Sequence, residues 1–277
     1  MRTEAPIEIV AHATDFSEAS AEAFAHALRI ALATRSRLDL LHVRDRRSDG
    51  TWTSFPHVRE MLAKWELMQD DEQPSQIEAK LGIKVTKVEI QHHNPTNGLF
   101  EFVLSHRPDL LVVATHGREG LSRWLRGSVS EELARRTHVP TLFLGPKAQG
   151  FVDRATGQMR LQRILVPVAH EPPPSRSLTR AAGLLAPLAV SPKAFRLIHI
   201  GADPPILDGD IGEAIGTEIE ALDGPVIESI LQAARGVALV VMPTAGHRGF
   251  LDALRGSTTE QVLRQAPCPV LAVGTGM

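Results

Sequence analysis

Two similar segments, DLLVVATHG (109–117) and ALVVMPTAG (238–246), decide the fold of this chain of 277 residues. Each is a short apolar run that ends near a glycine and is followed by a segment with a helical pattern. Such runs are typical of buried parallel strands in α/β proteins. The glycines Gly117 and Gly246 lie 129 residues apart. The recurrence therefore indicates an internal repeat.

The repeat extends over both halves of the chain. DLLHV (39–43) matches RLIHI (196–200), and HVPTLFLG (138–145) matches APCPVLAVG (266–274). Strand-like and helix-like segments alternate throughout, which predicts an α/β protein with parallel sheets. We predict two tandem domains, and the glycine-rich and polar segment between them is expected to be a linker or a small hairpin. The predicted boundaries are 1–146 for the first domain, 147–162 for the linker and 163–277 for the second domain.

The first half carries an insertion. Asp15 and Gly117 are 102 residues apart, whereas the corresponding distance in the second half is 77. We place the additional residues, about 25, within 51–83. HVREMLAKWELM (57–68) has helical spacing and predicts a helix that covers its own domain or the neighbouring one. A ligand lid or a partner-binding surface is the alternative. In either case, the apolar face of the inserted segment would consist of Trp52, Phe55 and Trp65.

Composition and charge exclude several functional classes. The net charge is −2, the hydrophobic fraction is 43%, and Cys268 is the single cysteine. These values give no electrostatic reason to expect a nucleic acid or an anionic membrane as partner. The N-terminal residues lack the pattern of a signal peptide, and no apolar run approaches the roughly 20 residues of a membrane span. We expect a cytoplasmic protein.

The glycine loop after each repeated strand permits two interpretations. In an open parallel sheet, ligands bind at the carboxyl ends of the strands, next to helix N-termini. Glycine allows backbone N–H groups to approach a phosphate, and S-x-x-E at Ser128 and at Ser257 predicts a capped helix start. The same residues also serve as an ordinary capped turn that binds nothing. The loop alone does not decide between a phosphate site and a turn.

Neither a metal site nor a catalytic residue is predicted. The sequence has twelve histidines, among them His92 and His93, but none are spaced i, i+4 on one predicted helix, and there is no pair of cysteines. Structural roles are therefore favoured over metal binding. A G-x-S-x-G elbow and a Walker motif are both absent. We interpret Cys268 as a structural residue ahead of the last strand.

A family resemblance adds to these observations. ATDFS (13–17), LLHV (40–43) and THG-x9-GSVS (115–130) together resemble the universal stress protein family, and the resemblance covers both halves. It implies the nucleotide-α-hydrolase-like fold of that family, here as two tandem doubly wound parallel-sheet domains. It also implies that the two domains pair internally, and a further homodimer of the chain remains an open alternative.

The ATP-binding branch of the family has the motif G-x2-G-x9-G-[ST]. The resemblance implies that Asp15 contacts the adenine and ribose end of the nucleotide. The backbone of Ala13, Thr14 and Val43 would line the base pocket, and Val113 would lie beside the base or ribose. Ala114 stands where the motif has its first glycine. The residues expected around the phosphates are Gly117, Gly127, Ser128, Val129 and Ser130.

The second half departs further from this motif. Ala169 stands in the place of Asp15, and Pro243 stands in the place of the first glycine. This half therefore lacks the acid that would hold a ribose or adenine, and we expect it to be mainly structural. Anion binding is the alternative there. The residues that would surround such an anion are Met242, Gly246, Gly256, Ser257 and Thr258.

The functional hypothesis at this point is a tandem universal stress protein that binds ATP or a related adenine nucleotide in its first half. It would act as a sensor or regulator in the stress response, with magnesium or manganese as a candidate companion of the triphosphate. One alternative is an interaction scaffold without a nucleotide. Another is a slow ATPase, for which no general base is assigned.

Overall fold

The computed structural model describes residues 7–44, 55–69, 71–115, 139–207, 210–216, 218–244 and 258–274. Within these residues, ten strands form a single sheet. In chain order the strands are β1 (Ile9–Ala13), β2 (Arg37–Arg44), β3 (Val85–Gln91), β4 (Leu110–Ala114), β5 (Thr141–Leu144), β6 (Ile164–Pro167), β7 (Phe195–Ile200), β8 (Ile219–Leu222), β9 (Leu239–Thr244) and β10 (Val270–Gly274).

The strand order shows the internal repeat directly. It is β3-β2-β1-β4-β5-β10-β9-β6-β7-β8, so that each half contributes the same order running outwards from the centre. All pairs inside each half are parallel, and only the central pair, β5 with β10, is antiparallel. The predicted pair of tandem α/β units with parallel strands is confirmed. Their joining into one sheet gives an internal two-domain arrangement.

Helices connect the parallel strands. The helices within the described residues are α1 (Glu18–Thr34), α2 (Val58–Lys64), α3 (Gln76–Leu81), α4 (Pro95–His106), α5 (Pro174–Leu185), α6 (Asp210–Ile215), α7 (Val226–Ala233) and α8 (Thr258–Gln265). Short 3-10 turns follow α5, at Ala186–Leu188 and Pro192–Ala194.

Helix α1 shows why the local sequence folds in this way. Ser17 is its N-cap, and the Ser17 hydroxyl accepts a hydrogen bond from the Ser20 N–H at 3.2 Å. Alanine has the highest helix propensity and is abundant in this helix, which allows close packing on the sheet. The helix ends at Thr34, and the following residue, Arg35, adopts a left-handed backbone conformation with φ 53°. The N-terminus of α1 lies next to the carboxyl end of β1, where parallel sheets bind ligands.

Two hydrophobic cores cover the two faces of the sheet. The first contains buried residues of α1 and α5 and extends across both halves. The second contains buried residues of α4, α7 and α8. Sharing of each core by both halves explains why the sheet is continuous. Among the described helices, none combines the length and apolar character that a membrane span requires.

The insertion is partly helical, as expected. Helix α2 covers the first part of the predicted segment 57–68, and Trp65 follows it with 6% of its surface exposed. The Trp65 indole N–H donates to the backbone oxygen of Arg154 at 3.2 Å. Phe55 packs against the first core, whereas Trp52 lies outside the described residues.

The segment between the halves contains a small antiparallel bridge, Val152 with Met159. It packs on α1 and on the insertion, because Phe151 and Val152 are buried and Arg29 donates to the backbone oxygen of Gly157 at 2.9 Å. A linker or small hairpin was expected here, and the bridge is the hairpin form. The domain boundaries 1–146, 147–162 and 163–277 remain a prediction.

Candidate functional site

The candidate site lies at the carboxyl ends of β1, β2 and β4. In the sheet, Ala13 is the register partner of both Leu41 on β2 and Val113 on β4. The backbone at Ala13 and Val113 is therefore adjacent. Val43 lies two residues further along β2, on the same edge of the sheet. The structure brings these three predicted residues together.

The turn from β1 into α1 is fixed by several hydrogen bonds around Thr14. The Thr14 N–H donates to the Leu41 backbone oxygen at 2.8 Å, which continues the sheet by one residue. The Thr14 hydroxyl oxygen accepts from the Phe16 N–H at 3.1 Å and from the Ser20 hydroxyl at 2.9 Å. The His42 Nδ1–H donates to the Thr14 backbone oxygen at 2.9 Å. Because Thr14 is held on three sides, the turn is a well-defined structural unit.

Asp15 lies within this turn, and its carboxylate has a structural role. Its Oδ1 accepts hydrogen bonds from the Ser17 N–H at 3.0 Å and from the Ser17 hydroxyl at 2.6 Å. Aspartate commonly stabilises turns in this way. Asp15 therefore both orders the N-terminus of α1 and presents a negative charge near the strand ends.

Beneath the turn, His12 and Ser20 form a buried polar contact. His12 is fully buried, its Nδ1–H donates to the Val112 backbone oxygen at 3.0 Å, and its Nε2 lies 3.5 Å from the Ser20 hydroxyl. Burial lowers the pKa of His12 to about 4, because a charged imidazolium is poorly solvated there. A neutral His12 thus connects the middle of β4 to the start of α1.

Aromatic side chains form one wall beside Asp15. The Phe16 ring lies 4.3 Å from the His42 ring, between centroids, and 5.9 Å from the Phe55 ring in an edge-to-face arrangement. Phe55 belongs to the insertion, so the insertion reaches the edge of the candidate site. We name Phe16, His42 and Phe55 the aromatic row.

Ala114 is the last residue of β4 and has extended backbone. It is not among the described non-glycine residues with positive φ. Glycine is required only where φ is positive or where a Cβ would collide. The alanine at this position is therefore compatible with the local backbone, although the family motif has a glycine.

The second half repeats this geometry without the acid. The Val168 N–H donates to the Ile198 backbone oxygen at 2.8 Å, as Thr14 does to Leu41. The His199 Nδ1–H donates to the Val168 backbone oxygen at 2.9 Å, as His42 does to Thr14. These two bonds align Val168 with Thr14, so that Ala169 occupies the position of Asp15. The two equivalent hydrogen bonds therefore give the same alignment of the halves as the sequence repeat.

Histidines at the strand ends make local contacts. His92 and His93 stack at 4.4 Å, and the His92 Nδ1 accepts from the Asn94 N–H at 2.9 Å. In the second half, His170 and His199 meet edge-to-face at 5.7 Å. Within the ranges that the structure describes, no cluster of three or more histidine, cysteine, aspartate or glutamate side chains has the arrangement of a metal site.

The predicted phosphate loop and its counterpart in the second half are not covered by the structure. The strand that precedes each loop is described to its end, which is Ala114 in β4 and Thr244 in β9. The phosphate-binding roles of the loop residues therefore stay predictions. The residues concerned are Gly117, Gly127, Ser128, Val129 and Ser130 in the first half, and Gly246, Gly256 and Ser257 in the second.

No role in the site was predicted for His12 or Ser20, and Phe55 was predicted only on the apolar face of the insertion, for which a ligand lid was the alternative. His12 and Ser20 are eight residues apart, on a strand and a helix, and their contact depends on the crossing of these elements. Phe55 is separated from Phe16 by 39 residues. A signal was present only for His42, because the histidine recurs in LLHV and LIHI (40–43 and 197–200) at the same place in both halves.

Comparison with known proteins identifies relatives of both halves. A family model described as the universal stress protein family matches residues 7–144 and 206–274. A universal stress protein of Methanocaldococcus jannaschii is 30% identical over 135 residues, covering 47% of this chain and 76% of that protein.

Solved structures extend the comparison to the whole chain. The crystal structure of a universal stress protein from Archaeoglobus fulgidus is 19% identical with a TM-score of 0.59, covering 97% of this chain and 96% of its own. This likeness shows a shared fold along the whole chain. A universal stress protein crystallised in complex with cAMP is 21% identical with a TM-score of 0.33, covering 50% of this chain and 98% of its own.

Proposed function

The chain belongs to the universal stress protein family, and from this premise we propose that it binds ATP or a related adenine nucleotide in its first half. It then acts as a nucleotide-dependent sensor or regulator in the stress response. The observation that carries the proposal is the ordered turn that holds Asp15 at the ends of β1, β2 and β4. A rigid site of this kind loses little conformational entropy on binding.

The described residues fit an adenine nucleotide in three respects. The backbone of Ala13, Thr14 and Val43 lies along one edge of the sheet, where a base can be bound by main-chain groups. Asp15 supplies a carboxylate, which accepts hydrogen bonds from ribose hydroxyls or from an amino group. Extended backbone at Ala114 leaves the strand end compatible with the proposed site.

The phosphate end of the proposal rests on the sequence. Gly117, Gly127 and Ser128, with the two residues that follow, would present backbone N–H groups and a helix N-terminus to the phosphates. Magnesium or manganese would neutralise part of the triphosphate charge. These roles, like a further homodimer and a cytoplasmic location, belong to the proposal.

The second half is proposed to be a structural partner of the first. Its turn has the same hydrogen bonds, but Ala169 replaces the carboxylate. We therefore expect one nucleotide per chain rather than two. Counting adenine nucleotide released from the purified and denatured protein measures this ratio.

The proposal is tested by calorimetric titration of ATP with magnesium into the intact protein, Asp15→Asn and Asp15→Ala. Asn retains an oxygen that can accept from Ser17, so Asp15→Asn preserves the turn and removes the charge. Both variants are expected to bind ATP about tenfold more weakly or worse, as charge-assisted hydrogen bonds are lost. Asp15→Ala also loses the turn contacts and is expected to be less stable by about 1 kcal/mol.

Ala169→Ser in the second half is the matched control and should leave ATP affinity unchanged. Absence of binding heat with the intact protein would contradict the nucleotide proposal. Equal affinities of the intact protein and both Asp15 variants would show that the nucleotide binds elsewhere. Following ADP in the same samples separates simple binding from slow hydrolysis.

An interaction scaffold without nucleotide remains the second candidate, and one observation favours it. The Asp15 carboxylate already stabilises the start of α1 through Ser17, so the acid has a role that needs no ligand. On this hypothesis the intact protein binds no ATP, and Asp15→Asn behaves as the intact protein in every assay.

A further inference from the structure

Among the described residues of the insertion, Phe55 makes an aromatic contact with the candidate site. The connection between β2 and β3 spans 40 residues, whereas the equivalent connection between β7 and β8 spans 18. Phe55 in the longer connection meets Phe16 edge-to-face at 5.9 Å. The Nζ of Lys87, on the edge strand β3, lies 5.9 Å from the centroid of the Phe55 ring. Phe55 is therefore held between the edge strand and the turn that carries Asp15.

Phe16 has an unusual backbone conformation that requires support. Its φ is 60°, in the left-handed region that residues with a Cβ rarely adopt. Such a conformation persists only where the surrounding contacts fix it. The Phe16 N–H donates to the Thr14 hydroxyl at 3.1 Å, which fixes the backbone on one side. The ring must be fixed as well, because a turn of the Phe16 backbone would displace its neighbours Asp15 and Ser17.

The aromatic row fixes that ring. His42 lies against the Phe16 ring at 4.3 Å and is itself anchored to the Thr14 backbone oxygen. Phe55 closes the other side. The second half keeps the anchored histidine, His199 on β7, but has His170 in place of Phe16. Its shorter connection, residues 201–218, contains no aromatic residue that could take the place of Phe55. The hydrogen bond from the histidine to the turn backbone thus occurs in both halves, whereas the Phe16–Phe55 contact and the Asp15 carboxylate belong to the first half.

We infer that Phe55 is a positioning residue: by packing on Phe16 it holds the Asp15 turn in place, and it thereby couples the insertion to the nucleotide site. The inference rests on the proposed function only for its second part. The first part, ordering of the turn, concerns the protein without any ligand. The two parts can fail separately.

The ligand-free arm of the test is amide hydrogen exchange of the segment 13–20 in the intact protein and in Phe55→Ala. An edge-to-face aromatic pair contributes enough that its loss should speed exchange of the Phe16 and Ser17 amides about three- to tenfold. Phe55→Tyr keeps the ring and should restore slow exchange.

The matched control is Trp65→Leu, which removes a second large aromatic side chain from the described part of the insertion. The described contacts of Trp65 are with the hairpin between the halves, through Gly157 and the Arg154 backbone oxygen. Trp65→Leu should lower the melting temperature but leave exchange of the Phe16 and Ser17 amides unchanged. A merely structural role of the insertion would make the two variants alike.

The ligand-bound arm is titration of ATP with magnesium into the same variants. Phe55→Ala should weaken ATP binding about three- to tenfold, Phe55→Tyr should restore it, and Trp65→Leu should not change it. The inference is overturned if Phe55→Ala leaves exchange of the Phe16 and Ser17 amides unchanged. It is also overturned if Phe55→Ala and Trp65→Leu change this exchange equally. Faster exchange in Phe55→Ala together with no ATP binding by the intact protein supports the positioning of the turn and rejects the proposed function. Faster exchange with unchanged ATP affinity rejects the coupling.

Discussion

His26 connects α1 to the hairpin between the two halves through a ring that must be neutral. Its Nδ1–H donates to the Glu22 backbone oxygen at 2.8 Å, and its Nε2 accepts from the Val152 N–H at 3.2 Å. The Phe151 ring packs on it edge-to-face at 4.5 Å. A proton on Nε2 would remove the acceptor for Val152. Burial accordingly lowers the pKa of His26 to about 4.

This shift predicts acid destabilisation with a definite sign. In the unfolded chain His26 takes up a proton as the pH falls through about 6.5, whereas in the folded protein it does so only near 4. The stabilising contribution is therefore complete above pH 6.5 and decreases as the pH falls towards 4, by about 3 kcal/mol in total. Urea unfolding between pH 7.5 and 4.5 measures this loss.

His26→Gln isolates the contribution of His26. Between about pH 6.5 and 4.5, the slope of unfolding free energy against pH should decrease by about 1.4 kcal/mol per pH unit. Glu22 contributes a slope of the opposite sign, because burial raises the pKa of its carboxyl. Glu22 is present in both the intact protein and His26→Gln. His93→Gln, at an exposed position, is the control. An identical slope for the intact protein and His26→Gln contradicts the prediction.

At the residue scale, part of the site could be predicted from the sequence. The contrast between Asp15 and Ala169 was visible from the repeat alone, because motif spacing aligns the two halves. The double use of Asp15 was not, since the hydrogen bonds from Ser17 depend on the local turn geometry. The neutral state of His12 depends on its burial where β1 packs against α1, and it was equally beyond sequence reasoning.

At the scale of elements, the hairpin of residues 151–160 is held by close packing against Trp65. Gly157 has φ 70°, and a Cβ there would lie 2.6 Å from the Trp65 ring. Such a distance is far shorter than a van der Waals contact, so that the ring or the hairpin would have to move. The glycine is therefore required by both its backbone conformation and its neighbour.

Gly157→Ala is expected to destabilise the protein by about 3 kcal/mol, from left-handed backbone strain and from the collision. Gly82→Ala is the matched control, because Gly82 has φ 69° but a Cβ there would meet only Arg35 at 3.6 Å. It should cost about 1 kcal/mol. Urea unfolding of both variants measures the difference, which reports on the Trp65 contact. Equal losses would mean that the hairpin does not pack tightly on the insertion.

Other elements show where periodicity was informative and where it was not. The repeated strands β4 and β9 are continuous apolar runs and were predicted correctly. The edge strand β8 was not predicted, because its sequence IEAL (219–222) is short and its central residues, Glu220 and Ala221, are exposed. Its strand conformation is imposed by pairing with β7, in which Arg196 donates to Glu220.

At the scale of the whole molecule, the antiparallel pair β5–β10 joins the halves into one sheet. In this pair Leu271 is opposite Leu142, and Val270 is opposite Phe143. All four side chains are almost fully buried. Both hydrophobic cores also extend across this junction. We therefore expect the two halves to unfold as one cooperative unit.

Leu271→Ala tests this cooperativity. The substitution removes buried apolar volume at the junction and should destabilise the protein by about 2–5 kcal/mol. Native-state hydrogen exchange should accelerate to a similar degree in β1 and in β6, although neither strand pairs with β10 and β1 belongs to the other half. The exposed Glu228→Ala serves as the control and should leave both strands unchanged. Acceleration confined to the second half would show that the halves unfold independently.

The class of fold, the repeat and the loss of the acid in the second half can all be read from the amino-acid sequence. These features depend on local periodicity and on spacing along one chain, which sequence carries directly. Only the tertiary structure decided that the halves join through β5 and β10, and that Phe55 packs on the Asp15 turn. The physical reason is that both are contacts between residues far apart in the chain. Such contacts depend on how packed elements share a core, and no local pattern encodes that arrangement.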